Sequence, residues 1–191
     1  MLEGLMQPVV PWRKIVPNGG RVFIGGGAMV PFALMDSLLA EHQHFMDVEL
    51  IHIHTLGDMP WVESKYQGSF RPNSFFLSRR MCEAVEDGWA DYTPCATFEV
   101  PHLFDSGVLP LDVALVQVSP PDDEGYVSLG LSADVIVTAM KTARVVVAQV
   151  NKNVPRTFGD TRVALSSIDY LVEKDAALPS IEAWEYQEHH K

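Results

Sequence analysis

Three consecutive glycines, Gly25-Gly26-Gly27, followed by Ala28, form the first pattern in this sequence that suggests chemistry. Glycine has no Cβ atom, so the backbone can turn sharply and approach a ligand closely. An apolar strand-like segment precedes the loop and a helical pattern follows it. The free N–H groups of a helix N-terminus would then favour a carboxylate or a developing oxyanion. A tight turn without a ligand is the alternative interpretation.

The same glycines do not complete a nucleotide-binding motif. A dinucleotide fingerprint would require a third glycine at position 30, which is Val30, and the lysine of a Walker motif is missing. We therefore expect no bound nucleotide at this loop.

His52 and His54 alternate in a strand-like segment, and alternate residues of a strand share one face. Paired imidazoles could bind a metal, but no carboxylate or cysteine lies at a suitable spacing. Hydrogen-bonded histidines are favoured, and His54 leads into a loop that could border a pocket. The sequence thus predicts no metal site and no permanently bound cofactor.

For the polar segments later in the chain, a structural role is an alternative to a functional one. Asp122-Asp123-Glu124-Gly125 lacks the ligand spacing of a calcium loop and has the composition of a solvated turn. Glu99 is the best local carboxylate for catalysis, but a glutamate in a loop next to proline favours a surface or capping role. The polar residues after the last strong strand could orient a substrate, face another domain or cap the loop; they are Asn151, Asn153, Arg156 and Thr157.

Around these residues, strand and helix patterns alternate. Strands are predicted at 21–24, 48–55, 111–119, 126–129 and 144–150, and helices at 31–41, 78–88 and 132–142, with Ser78 and Ser132 as N-caps. A long loop is predicted over 55–73. Alternation of this kind predicts an α/β fold, with an open, mostly parallel sheet and helices on both faces. Ligands of such sheets bind beyond the carboxyl ends of the strands, where the polar and glycine-rich loops lie.

Composition excludes several classes of protein. The 191 residues are 47% hydrophobic and 20% charged, which is typical of a globular domain. The net charge is −11 without a Lys/Arg cluster, so we expect no nucleic-acid partner. No apolar run reaches the roughly 18 residues of a membrane span, so no membrane association is expected. Cys82 and Cys95 form no CxxC motif, and we expect a reduced, cytoplasmic setting without a secretory signal.

Three long segments carry a resemblance to a known family. They are Asn73–Ser78 with Gly88–Pro94, then Val116–Gly130, with its Ser-Pro-Pro-Asp-Asp-Glu-Gly-Tyr core, and Val150–Asp160. Together they resemble the N-terminal domain of the acetyl-CoA hydrolase/transferase family, which includes 4-hydroxybutyrate and acetate CoA-transferases. The resemblance covers residues 20–178, approximately.

The resemblance implies an N-terminal domain over 1–180, with 181–191 as a linker or chain end, and a C-terminal catalytic domain outside this chain. It implies exchange of CoA between an acyl-CoA and a short carboxylic acid through a glutamyl intermediate. The glutamate is expected in the second domain, so this chain alone should be inactive. Coenzyme A is then a cosubstrate, and a homo-oligomer is expected.

Within this chain the expected substrate-binding residues lie on the strand-end loops. They are Gly25, Gly26, Gly27, Ala28, His54, Gly125, Tyr126, Asn151 and Asn153. Two other interpretations stay open: a subunit of a split CoA-transferase, with the glutamate on a partner chain, and a non-catalytic domain that binds acyl-CoA.

Overall fold

The computed structural model describes residues 9–181. Its helices are α1 (Trp12–Ile15), α2 (Phe32–Ala40), α3 (Arg79–Glu86), α4 (Val100–Asp105) and α5 (Ile136–Thr142). Its strands are β1 (Arg21–Ile24), β2 (Val48–His52), β3 (Phe70–Ser74), β4 (Asp91–Tyr92), β5 (Val113–Val118), β6 (Tyr126–Ser128), β7 (Val145–Val150), β8 (Arg162–Ala164) and β9 (Tyr170–Glu173). Short 3-10 turns lie at His42–His44, Pro60–Val62, Ser64–Tyr66 and Leu165–Ser167.

Seven strands form one parallel sheet in the order β4-β3-β2-β1-β5-β7-β9. The chain builds the sheet outward from β1 through β4, then returns to the other side of β1 and continues through β5, β7 and β9. β6 and β8 pair separately as a small antiparallel sheet. The direction of sheet building therefore changes between β1 and β5, and crevices that bind ligands form at such points.

Alternation along the strands creates an apolar core on each face of the sheet. In β1, Val22 and Ile24 pack with one buried cluster, together with α1, α2 and α3, whereas Phe23 packs with the other, together with α4 and α5. Strands buried on both faces are the pattern of a parallel α/β sheet. The predicted α/β fold with helices on both faces is confirmed.

Several element boundaries also agree with the sequence patterns. β1 has its predicted limits, α2 lies within 31–41, and Ser78 caps α3 by accepting a hydrogen bond from the Met81 N–H. The strand predicted over 48–55 is too long, because β2 ends at His52.

The long loop predicted over 55–73 is wrong at its end, because β3 occupies Phe70–Ser74. Pro72 conceals this strand in the sequence, since proline lacks an N–H group. The Phe75 N–H donates to His52 O, and successive N–H groups alternate in direction. The Pro72 nitrogen therefore points away from β2, to a side where β4 pairs only with Asn73 and Ser74.

The helix predicted over 132–142 begins at Ile136, and Ser132 is not its N-cap. The sequence patterns also do not predict α1, α4, β4, β8 and β9, because each is short and its pattern is weak in isolation. The proposed linker at 181–191 falls almost wholly outside the described residues. Between residues 9 and 181, no helix is long and apolar enough to cross a membrane.

Candidate functional site

The glycine loop leaves the carboxyl end of β1 at the point where the building direction of the sheet changes. β5 and the segment that follows β2 hold it: the Gly25 N–H donates to Leu115 O at 2.8 Å, and the Gly27 N–H donates to His54 O at 2.6 Å. The Leu56 N–H returns a hydrogen bond to Gly27 O at 3.2 Å. The loop is therefore a fixed part of the sheet edge.

Close packing accounts for two of the glycines. A Cβ atom on Gly26 would lie 2.7 Å from His54 O, and one on Gly27 would lie 2.7 Å from the Ser132 Oγ. Gly27 also has φ of +62°, a conformation that side chains disfavour. The loop would require glycine at these positions even without a ligand.

The N-terminus of α2 differs from the expectation of free N–H groups. The Phe32 N–H donates to Val30 O, the Leu34 N–H donates to Pro31 O, and the Ala33 N–H donates to Gln149 Oε1 at 3.1 Å. A helix start whose donors are satisfied internally offers little to an anion. The expectation of free N–H groups at the start of α2 is therefore wrong, whereas ligand binding at the glycine loop stays a prediction.

The donors that do remain lie within the loop itself. Among residues 9–181, the backbone N–H groups of Gly26 and Ala28 have no hydrogen-bond acceptor. These two groups lie on either side of Gly27, and backbone N–H groups this close in sequence can bind an anion where they converge, as in other glycine-rich loops.

A small cavity of about 100 Å³ adjoins the loop. Its lining residues are Phe23, Gly26, Gly27, Ile53, His54 and Asp134. This volume corresponds to about three water molecules, which suits a group as small as a carboxylate. His54 is exposed, with its ring centroid 5.0 Å from that of Phe76.

The structure thus brings three of the predicted residues together around one cavity, namely Gly26, Gly27 and His54, with Gly25 and Ala28 adjacent in the same loop. It adds Asp134, which the sequence patterns placed inside a helix. The sequence offered one signal for Asp134, because it is an acidic residue just before α5 and close to a predicted strand-end loop.

His52 is buried and separate from this cavity. Its ring packs edge-on against Trp61, with centroids 5.8 Å apart, and its Nδ1 lies 3.4 Å from the Thr55 hydroxyl. Burial, with a smaller contribution from the neighbouring His54, lowers the His52 pKa to about 4. In the part of the chain that the structure describes, no group of three or more His, Cys, Asp or Glu side chains could hold a metal ion.

Gly125 and Tyr126 belong to the acidic turn and do not line the cavity. The Asp122 carboxylate accepts hydrogen bonds from the Tyr126 N–H at 2.8 Å and the Glu124 N–H at 3.1 Å. The bond from Tyr126, helped by Arg156, lowers the Asp122 pKa. The Arg162 guanidinium covers the Tyr126 ring at 3.6 Å. Substrate contact by this turn stays a prediction.

Asn151 and Asn153 also lie away from the cavity lining. Asn151 is fully buried, and its amide bonds to Gln117 and to the backbone of Ala176. The Asn153 side chain donates to the same Ala176 carbonyl at 2.8 Å. These contacts indicate structural roles, and substrate binding by either residue stays a prediction.

Glu99 is exposed and immediately precedes α4. Its carboxylate accepts a hydrogen bond from the Ala96 N–H at 3.3 Å. This contact suits a structural carboxylate better than a nucleophile.

A second, larger groove of about 590 Å³ begins at the same Asp134 and follows α5 toward β8. Apolar and charged residues share its walls: Val137, Met140, Lys141, Asp160, Arg162 and Val163. Asp134 thus stands between the small cavity and the groove.

Comparison with known proteins identifies the family of this chain. The family model of the acetyl-CoA hydrolase/transferase N-terminal domain matches residues 12–182. The chain is 40% identical to a 4-hydroxybutyrate coenzyme A transferase of Clostridium kluyveri, covering 83% of this chain and 37% of that protein. It is also 40% identical to a succinyl-CoA:acetate/propanoyl-CoA:succinate CoA transferase of Fasciola hepatica, covering 81% and 32%.

Solved structures show the same fold. The 4-hydroxybutyrate CoA-transferase of Porphyromonas gingivalis matches with a TM-score of 0.71 and 28% identity, over 88% of this chain and 38% of that one. RipA from Yersinia pestis matches with a TM-score of 0.87 and 22% identity, over 97% and 46%. The chain spans about a third of the length of the curated relatives named above. This chain belongs to the acetyl-CoA hydrolase/transferase family and corresponds to its N-terminal domain.

Proposed function

We propose that this chain forms the N-terminal domain, over 1–180, of an enzyme that exchanges CoA between an acyl-CoA and a short carboxylic acid. Family membership and the names of the relatives support this activity. The observation that carries it is the small cavity at the sheet edge, where the glycine loop, His54 and Asp134 meet.

The proposed reaction proceeds through a glutamate outside this chain. Its carboxylate attacks the thioester carbonyl, the C–S bond breaks, and an acyl-glutamyl anhydride forms with release of the CoA thiolate. The thiolate then attacks the glutamyl carbonyl, which forms a glutamyl-CoA thioester and releases the first acid. The acceptor acid reverses both steps, so each hard substitution is divided into easier ones.

In this scheme the chain contributes one wall of the cleft. The N–H groups of Gly26 and Ala28 would donate hydrogen bonds to the oxyanion that develops at the attacked carbonyl. Donors held in position before the reaction stabilise such charge strongly. The cavity of about 100 Å³ would admit the reacting carboxyl group.

A thioester-exchange assay tests the proposal. We expect no turnover of acetyl-CoA with short acids by this chain alone, and turnover by a longer protein that contains it. Substantial turnover by the chain alone, abolished by Glu99→Gln or by Asp134→Asn, would contradict the proposal and identify the nucleophile. Activity that requires a separately encoded partner would instead favour a split enzyme.

A further inference from the structure

Three buried amides lie side by side on the face of the sheet that α2 covers. Gln117 in β5 and Gln149 in β7 are register partners, and Asn151 follows the end of β7. Their exposed fractions are 3%, 1% and 0%. We call Gln117, Gln149 and Asn151 the amide ladder.

On one side, the amide ladder holds the segment that joins the glycine loop to α2. Gln117 Nε2 donates to Val30 O at 3.3 Å, and Gln149 Oε1 accepts from the Ala33 N–H at 3.1 Å. Pro31, the N-cap position of α2, makes no side-chain capping bond. Gln149 therefore supplies from the sheet the cap that the helix lacks locally.

On the other side, the amide ladder holds the segment through which the chain leaves β9. Gln149 Nε2 donates to Lys174 O at 3.1 Å. Asn151 binds Ala176 twice, donating to its carbonyl at 2.8 Å and accepting from its N–H at 3.3 Å. Gln149 thus contacts both segments directly, whereas Gln117 contacts the first and Asn151 the second.

The amides are also joined to one another. Gln117 Oε1 accepts from Gln149 Nε2 at 3.3 Å and from Asn151 Nδ2 at 2.8 Å. A buried polar group that loses its partner is costly, and a fully paired network specifies one arrangement. A shift of the 174–176 segment would therefore disturb side chains that also hold the glycine-loop segment.

We propose that the amide ladder is a positioning device for CoA transfer, which fixes the glycine loop relative to the 174–176 segment. This inference rests on the proposed function. Gln117, Gln149 and Asn151 do not line the cavity, so they act through the backbone of residues 30–33. Small displacements of a reacting group lower turnover steeply, and the amide ladder prevents them.

The test uses the longer protein that contains this chain. In Gln149→Met, which keeps the side-chain volume but removes the amide, we expect kcat to fall at least about tenfold at saturating substrates. The KM for acyl-CoA should change less than about threefold, because ground-state binding is retained. Backbone hydrogen exchange should rise in both segments, 26–33 and 174–176. The matched control is Gln43→Met, the same change at an exposed glutamine, which should alter none of these.

A second variant guards against a folding defect. In Gln149→Glu, the carboxyl group still accepts from the Ala33 N–H, and its protonated form can donate to Gln117 Oε1. Its kcat relative to the original protein should therefore increase as the pH is lowered, whereas Gln149→Met should show no such recovery. If the amide ladder only stabilised the fold, a Gln149→Glu protein that is folded at every pH tested would show no such recovery of kcat.

Three results would overturn the inference. The first is an unchanged kcat in Gln149→Met, and the second is increased backbone hydrogen exchange in one of the two segments only. The third is a kcat of Gln149→Glu, relative to the original protein, that does not change with pH. If the unsubstituted longer protein shows no CoA transfer, the proposed function itself fails. The hydrogen-exchange measurements on Gln149→Met still decide, independently of activity, whether the two segments are coupled.

Discussion

A methyl group on Gly26 would meet a backbone carbonyl rather than a movable side chain. The distance to His54 O would be 2.7 Å, and the Gly26 φ lies outside the left-handed region, so crowding alone opposes the substitution. We expect Gly26→Ala to lower the free energy of unfolding by about 1–3 kcal/mol. Urea denaturation followed by circular dichroism measures this change.

Gly107→Ala is the matched control for this variant. Gly107 has φ of +74° and open space around it, so the substitution introduces backbone strain without crowding. We expect a cost of about 1 kcal/mol. An equal or smaller cost at Gly26 would show that the glycine loop moves freely away from His54.

The pKa of His52 predicts a loss of stability at mildly acidic pH. Its folded pKa is about 4 because the ring is buried, whereas an unfolded histidine titrates near 6.5. The folded pKa is the lower one, so the stability contribution is present above about pH 6.5 and is lost as the pH falls toward 4. Between about pH 7.5 and pH 5 this loss amounts to about 2 kcal/mol.

Denaturation curves across that pH range test the assignment. His52→Gln should have a shallower dependence of unfolding free energy on pH, because the buried titrating group is gone. His44→Gln, a substitution at an exposed histidine, should retain the original slope. Identical slopes in all three proteins would rule out His52 as the group responsible.

At the scale of elements, the acidic turn between β5 and β6 is held by a cation from the loop that follows β7. The Arg156 guanidinium donates to Pro120 O at 2.5 Å and lies 3.4 Å from the Asp122 carboxylate. We expect Arg156→Met to change global stability little, because the ion pair is exposed. Backbone exchange in residues 120–126 should nevertheless increase, as measured by mass spectrometry.

The matched control is Arg79→Met, which removes an exposed pair with Glu83 on α3. That helical pair should contribute less than about 0.5 kcal/mol, and the acidic turn should be unaffected. Unchanged exchange in 120–126 after Arg156→Met would show that Asp122 and its backbone bonds hold the turn unaided.

At the scale of the whole molecule, apolar side chains are exposed on loops at the carboxyl edge of the sheet. Phe158 is 100% exposed, Leu131 is 56% exposed and Phe76 is 51% exposed. Exposed apolar surface of this kind favours association. We expect the isolated chain to self-associate in sedimentation velocity experiments, and Phe158→Ser with Leu131→Ser to reduce the associated fraction.

Stability should be nearly unaffected by that double substitution, with a change below about 0.5 kcal/mol, because both side chains are exposed. Val108→Ser is the control, since Val108 is 65% exposed but precedes β5 at the opposite edge. If Val108→Ser reduced association equally, the carboxyl edge would have no special role in it.

The sequence by itself determined the fold class, the family and the position of the glycine loop. β1, β5 and β7 are continuous apolar runs because both of their faces are buried, and such runs are visible without coordinates. The loop after β1 is visible because three adjacent glycines are rare outside a constrained turn. Single glutamines near the ends of β5 and β7 were a further signal, since each interrupts an apolar run on the same face.

The tertiary structure alone decided which polar groups meet. β3 contains Pro72 and is a strand only because neighbouring strands supply its partners, and Ser132, predicted as a helix cap, lies beside Gly27 instead. The Ala33 N–H at the start of α2 looked free because its acceptor, Gln149, lies 116 residues away in sequence. Side-chain hydrogen bonds between distant strands leave no periodic pattern, so the composition of the cavity and the amide ladder depended on the folded arrangement.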